Sequence, residues 1–368
     1  MPDALKDMYN RPYLEKLAAE IQLVYPPFQA DTFVASVMDD SWEHLELKGR
    51  MRQITLNLGK YLPENFPEAI AVIDKVVADY GTDWMTEGFC MYFNDFVEVY
   101  GQEEAHWDIS IAALGRYTRH ASSEFAVRPF IIKHETRMME QMYAWSKSED
   151  EHLRRLSSEG CRPALPWAQA LPAFKKDPSP VLPILEQLKA DPSLYVRKSV
   201  ANNLNDISKT HPDLVVNIAK DWYGKNEDTN WIVKHACRTL LKKGNREALK
   251  LFGFGDDKAV ETSGFSLERD EVSIGGELNF SFTISTKTAT KVRLEYGIDY
   301  MKANGKQNRK IFQISESAVE KGITKNYTKK HSFADVSTRK HYPGAHAVTL
   351  IVNGSERGTL DFTVSAEN

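Results

Sequence analysis

Three carboxylates stand out against basic surroundings: Glu124 in Ser122-Ser-Glu-Phe-Ala-Val-Arg-Pro129, Glu159 in Ser157-Ser-Glu-Gly-Cys-Arg-Pro163, and Asp206 closing Val200-Ala-Asn-Asn-Leu-Asn-Asp206. The first two share Ser-Ser-Glu followed within four residues by Arg-Pro. Ser before Glu is also the pattern of a helix N-cap with an acid favoured by the helix dipole, and each Pro supports a helix boundary, so a structural and a chemical reading both stand. Asp206 has a less ordinary setting. Lys198, Asn202 and Asp206 are spaced by four and share one helix face, with Ser199 and Asn203 beside them. Asn is a weak helix former, so this run is locally unfavourable and something should offset it. Metal chemistry has no foothold: no Asp/Glu/His cluster has two-metal spacing, His235 has no second His or Cys at ligand spacing, and Cys90, Cys161 and Cys237 are far apart without CxxC. Neither a metal nor a cofactor is expected.

The elements that must position these residues follow from periodicity. Val196, Val200, Leu204 and Ile207 make an apolar helical stripe. Asp191–Val200 can be laid over Glu227–Ala236 at an offset of 36, placing Val196, Val200 and Leu204 on Ile232, Ala236 and Leu240, with a weaker echo at Asp150–Arg155. Such helix pairs look like HEAT-type repeats, which predicts an α-solenoid with one concave face. The pattern is helical up to about Phe254 and alternating after Asp257, as in Glu277–Ser285 and Lys291–Asp299. Gly275-Gly276, Asn304-Gly305, Pro343-Gly344 and Asn353-Gly354 are turn signals among six to eight expected strands. The expected organisation is mainly α, with a repeat solenoid over 1–257 and an all-β immunoglobulin-like sandwich over 258–368.

The chain of 368 residues is 42% hydrophobic with a net charge of −4, which by itself selects no partner. Distribution says more. Lys234, Arg238, Lys242, Lys243, Arg246 and Lys250 lie between Trp231 and Lys250 with only Glu247 opposing them, a phosphate-sized footprint. Between Lys302 and Lys340 ten Lys/Arg face three acids, 10 − 3 = +7. Lysines also protect strand edges, but two such runs in an acidic protein favour a clamp on a DNA duplex. The start, MPDALKDMYNRPYLEK, has no basic n-region and no apolar h-region, and no apolar run has membrane length, so a cytoplasmic protein without membrane contact is expected. A monomer is expected, though nothing in the sequence selects the oligomeric state.

SSEFAVRPFI, SSEGCRPALPWA, DPSLYVRKSVANNLNDISKTHPD and TNWIVKHACRTLLKKG, in this order and followed by a β-rich tail, resemble the AlkC branch of the AlkC/AlkD superfamily of HEAT-like-repeat DNA glycosylases. The resemblance covers Ala4 to about Phe254 in pattern and extends to the tail, since AlkC-type members carry an immunoglobulin-like domain there. It implies excision of alkylated bases, N3-methyladenine and N3-methylcytosine, from double-stranded DNA without metal or cofactor. By motif, Asp206 corresponds to the catalytic acid residue, with Glu124 and Glu159 as further carboxylates. One departure from the related AlkD pattern is Asn202, where an aromatic residue is expected one turn before the aspartate. A non-catalytic HEAT scaffold binding DNA or protein is the competing reading.

The implied chemistry explains the residue types. An N3-alkylated base is already cationic and leaves without a proton, so what remains is the positive charge that develops on C1′ and O4′ of the sugar. Asp206 suits that charge and can orient water; Glu124 and Glu159 would favour a cationic base. Asn202, Asn203 and Asp206 would then form a solvent-facing reaction edge, an acidic centre within a basic rim. Trp167 is either a π-face for the cationic base or a core residue. Arg155 and Arg162 are either phosphate contacts or salt-bridge partners of Glu159. Lys198, Trp231, Lys234 and Arg238 complete the candidate DNA-binding set.

Overall fold

The computed structural model describes residues 5–78, 90–255, 258–336 and 339–366. Among the described residues sixteen α-helices precede eight β-strands. Packing divides the chain into two units, Met1–Thr210 with Gly224–Ile232, and His211–Tyr223 with Val233–Asn368. None of the described helices is long and apolar enough to cross a membrane.

In the first unit, helices start where short polar side chains cap them. Asn10, Asn65 and Asp150 accept from backbone N–H groups at the starts of the Arg11–Val24, Phe66–Val77 and Glu151–Glu159 helices. The expected stripe holds: Val196, Val200, Leu204 and Ile207 are buried on the Leu194–Ile207 helix, and their overlay partners Ile232, Ala236 and Leu240 are buried too. Each of the Val, Leu and Ile side chains contributes about 1.5–3 kcal/mol of burial. The Leu194–Ile207 helix packs against the Glu151–Glu159 helix. Asn203 belongs to that interface, not to the solvent-facing edge expected from its place beside Asn202 and Asp206. It is fully buried, and its Nδ2 donates to the Ser158 carbonyl at 2.8 Å. The reason is in the helical period: counting from Val196, positions +3, +4, +7, +8 and +11 form one stripe, and Ser199 and Asn203 are two of them.

The second unit carries the sandwich. Its strands are β1 (Val260–Leu267), β2 (Glu271–Ser273), β3 (Glu277–Thr286), β4 (Thr290–Met301), β5 (Gln307–Val319), β6 (Thr324–Ser332), β7 (Gly344–Val352) and β8 (Ser355–Ser365). One sheet has the order β1-β3-β6, the other β2-β8-β7-β4-β5, and all pairs are antiparallel except β2 with β8. Leu278, Phe280, Phe282 and Ile284 alternate along β3 and meet Val292, Leu294, Tyr296 and Ile298 of β4 in the core. The turn Asn353-Gly354 joins β7 to β8 with both residues at positive φ, 49° and 76°, as a two-residue hairpin turn requires. The strands begin at Val260, beside the sequence change at 257/258, while packing groups the Arg246–Leu251 helix with them. A Cβ at Gly354 would run into the Leu249 side chain. HEAT-like helices followed by an immunoglobulin-like sandwich are thus the architecture of the chain.

Candidate active site

The two Ser-Ser-Glu motifs sit at opposite kinds of helix end. Glu124 lies in a turn ahead of the Val127–Lys133 helix, where the Ser122 hydroxyl accepts from its N–H at 3.3 Å and donates to its Oε2 at 2.9 Å. Asn94 fixes that turn: its Nδ2 donates to the Ala121 carbonyl at 2.7 Å and its Oδ1 accepts from Ser123 Oγ at 3.1 Å. Glu159, by contrast, is the last residue of its helix. A carboxylate there opposes the helix dipole, so the N-cap reading fails for Glu159 and nearby cations must hold it.

Arginines do so. Arg155 reaches Glu124 at 2.6 Å and Glu159 at 3.6 Å; Arg162 reaches Glu159 at 2.6 Å and, through Nε, Asp206 at 2.9 Å; Lys209 closes the row on Asp206 Oδ1 at 2.8 Å. Charges therefore alternate, three acids against three bases, where an acidic centre inside a basic rim was expected. Asp206 is buried, not solvent-facing, and Asn202 beside it is half-buried. Arg155 and Arg162 are likewise ion-pair partners within the protein, the salt-bridge alternative of their reading. Burial works against the Arg155 charge, but Glu124 and Glu159 outweigh it and raise its pKa. Burial opposes Arg162 in the same way, and Glu159 with Asp206 prevails. Neither arginine can serve as a proton donor. Each carboxylate oxygen has about two lone pairs, so Asp206, with one donor on each oxygen, keeps accepting capacity for a developing cation.

The Arg162 end of the row continues into a loop whose base is closed by the Leu171 N–H on the Pro163 carbonyl, 3.2 Å, with Leu165 and Leu171 buried beneath. Trp167 stands at its tip, 73% exposed, so it is not a core residue. Its φ of 62° is left-handed, a conformation that costs a bulky L-residue roughly 1–2 kcal/mol. Two residues that sequence reasoning did not single out hold this loop. Lys48 Nζ donates to the Trp167 carbonyl at 2.9 Å, and the buried Arg128 donates to the carbonyls of Gln169, 2.5 Å, and Gly160, 2.9 Å. Burial, with the Arg162 charge acting in the same direction, brings the Arg128 pKa down to about 10. Their partners lie 119, 41 and 32 residues away, beyond any local pattern; the Arg-Pro dipeptide was the one available signal for Arg128.

The remaining candidates are dispersed. Lys198 is exposed on the Leu194–Ile207 helix, one turn after Tyr195, over whose ring Arg155 lies at 5.0 Å. Trp231 is partly exposed on the Glu227–Ala236 helix. Lys234 pairs with Glu316 of β5 at 2.6 Å, so its charge is already engaged, and Arg238 donates to the His235 carbonyl at 2.7 Å. A second ionic cluster was not legible in the sequence: Arg52 bridges Asp95 and Glu98 at 2.8 Å, and burial raises both carboxyls despite it. A cleft of about 380 Å³ lined by Trp107, Arg116, Arg119 and Trp145 contains none of the three carboxylates. Among the described residues no group of three or more His, Cys, Asp or Glu could hold a metal ion.

Comparison with known proteins gives these features a context. Residues 120–248, which contain the whole carboxylate row, match the family described as DNA alkylation repair enzyme, and residues 261–366 match that described as Uncharacterised protein YhaZ, C-terminal Ig-like domain. YhaZ of Bacillus subtilis (strain 168), described as uncharacterized, is 45% identical over 361 residues, 98% of this chain and 99% of its own length. A solved structure titled Pseudomonas fluorescens alkylpurine DNA glycosylase AlkC bound to DNA containing an abasic site analog is 35% identical. The match covers 99% of this chain and 100% of that one with a TM-score of 0.93.

Proposed function

The chain belongs to the AlkC branch of the HEAT-like-repeat DNA glycosylases, and from that premise we propose that it hydrolyses the N-glycosidic bond of cationic alkylated bases in double-stranded DNA, N3-methyladenine and N3-methylcytosine, leaving an abasic site. The observation that carries this reading is the Arg-tied row Glu124, Glu159, Asp206. These carboxylates are held in place by ion pairs, and the cations between them are arginines that keep their protons. That arrangement suits a reaction in which the leaving base needs no proton and the sugar needs a negative charge beside C1′.

In this mechanism Asp206 stabilises the oxocarbenium-like sugar and orients the attacking water. Arg162 fixes its distance from Glu159 and stops the acids from repelling one another. Glu124 and Glu159 attract a cationic base in preference to a neutral one. Trp167 offers its exposed ring to the cation or to the gap it leaves, an attraction of up to about 2 kcal/mol when desolvated. The chemistry is monofunctional, metal-independent and carried out by a monomer in the cytoplasm. Lys198, Trp231, Lys234 and Arg238, together with the basic strands of the sandwich, contact the duplex; Lys234 would exchange Glu316 for a phosphate.

The test is incubation of the purified chain with methylated duplex DNA in EDTA, followed by chromatography of released bases and alkaline cleavage at abasic sites. Release of N3-methyladenine in EDTA supports the reading. DNA binding without any released base would favour the non-catalytic scaffold instead.

A further inference from the structure

We propose that Lys48 is a positioning residue for base excision, holding Trp167 in its left-handed, solvent-facing conformation on the loop that follows Arg162. The inference rests on the glycosylase reading above. Only two non-glycine residues among those described have positive φ, Trp167 and Asn353. Asn353 sits in the Asn-Gly hairpin turn; Trp167 is the third residue of the turn Leu165-Pro-Trp-Ala168, closed by the Ala168 N–H on the Leu165 carbonyl at 3.3 Å, a place where a positive φ normally calls for Gly or Asn and not for a bulky indole. Strain of this kind persists where surrounding contacts over-determine the conformation. Here the contact made to Trp167 itself comes from Lys48.

Lys48 is on the first turn of the Leu47–Tyr61 helix, 119 residues away in sequence. Its ammonium does two things at once. It donates to the Trp167 carbonyl at 2.9 Å and lies 4.4 Å from the centre of the Phe125 ring, next to Glu124. One cation thereby ties the loop carrying Trp167 to the turn carrying Glu124. Arg128 secures the other flank through Gln169, and through Gly160 the end of the helix carrying Glu159. The carbonyl that Lys48 holds belongs to the residue with the unusual φ, so releasing it frees that peptide to relax and lets the indole swing away. A misplacement of about 1 Å in a reacting constellation lowers a rate by up to about 10²-fold.

The experiment uses the full chain labelled with 5-fluorotryptophan, the Trp167 resonance being assigned by its loss in Trp167→Phe. Lys48→Met should move or broaden that resonance alone and lower single-turnover release of N3-methyladenine on the order of tenfold. Lys48→Arg, which can still donate to the carbonyl, should restore both. Release by the double variant Lys48→Met/Trp167→Ala should be no slower than by Trp167→Ala, because the two changes remove one function. An unmoved resonance, or effects that multiply in the double variant, would overturn the proposal. So would a Lys48→Met defect explained by a salt slope smaller by about 0.9, the sign of a lost phosphate contact. Should the wild-type chain release no base, the glycosylase reading fails, while the fluorine resonance still decides whether Lys48 holds Trp167.

Discussion

Asp206→Asn separates chemistry from architecture, because the two effects have different sizes. The substitution keeps the shape, so Arg162 Nε, now 2.9 Å from Oδ2, can still donate to an amide oxygen. Lys209 is half exposed and turns to water, a loss of at most about 1 kcal/mol. The buried pair with Arg162 loses its charge assistance, and a hydrogen bond to a charged group is worth about 1.5–3 kcal/mol. Arg162 nevertheless keeps Glu159 at 2.6 Å, so its charge stays compensated and the total stability loss should be about 2 kcal/mol. That leaves a domain of ordinary stability, about 5–15 kcal/mol, folded. Losing the charge beside C1′ should cost about 2.7–4 kcal/mol in the transition state, a rate fall on the order of 10²–10³. DNA affinity should hold or rise, since one negative charge near the phosphates is gone. Single-turnover base release, thermal unfolding and fluorescence anisotropy on abasic-site duplex measure the three quantities separately. A variant that is folded, binds DNA and releases base within threefold of wild type would remove Asp206 from the centre of the mechanism.

Glu124→Gln and Glu159→Gln should each slow release of a cationic base less than Asp206→Asn does, and Glu159→Gln should be non-additive with it because both acids share Arg162; full additivity in the double variant would separate the sites. In the sandwich, burial lowers the His331 pKa from 6.5 to about 4, with Arg339, His341 and Lys329 acting in the same direction, while Tyr296 and Tyr300 hydroxyls occupy both ring nitrogens. The unfolded chain takes up the proton near 6.5 and the folded one only near 4. Stability is thus intact above 6.5 and falls between those values, by roughly 3 kcal/mol. Unfolding curves of wild type and His331→Phe across this range check it, and an equal pH slope in both would rule His331 out as the cause. Replacing the exposed Lys306, Lys321 and Lys325 by Gln should reduce the slope of log K against log salt by about 0.9 for each that contacts a phosphate; an unchanged slope would leave them as guards of the β5 and β6 edges.

What the sequence disclosed and what it hid follow from how far each signal reaches along the chain. The stripe Val196, Val200, Leu204 and the alternation in β3 are statements about neighbours within a few residues, and they located the repeat helices and the sandwich core. Glu124, Glu159 and Asp206 were marked by their motifs, but their alternation with arginines needed the fold. Arg162 meets Asp206 across 44 residues and Arg155 meets the Ser122 hydroxyl across 33. The choice between phosphate contact and ion pair was therefore undecidable from spacing, as was the fate of Trp167, whose carbonyl is bonded by a lysine 119 residues away. Asn203 is different, since its burial was available locally. Its place next to Asn202 grouped it with the four-spaced face of Lys198, Asn202 and Asp206, whereas the full 3.6-residue period puts it beside Val200 and Leu204, where its amide donates to the Ser158 carbonyl. That bond fastens the helix bearing Asp206 to the helix bearing Glu159. The polar run that looked like a reaction edge is thus divided in two: Asn203 sets the spacing between the helices, and Asp206, one turn further on, uses it to reach Arg162.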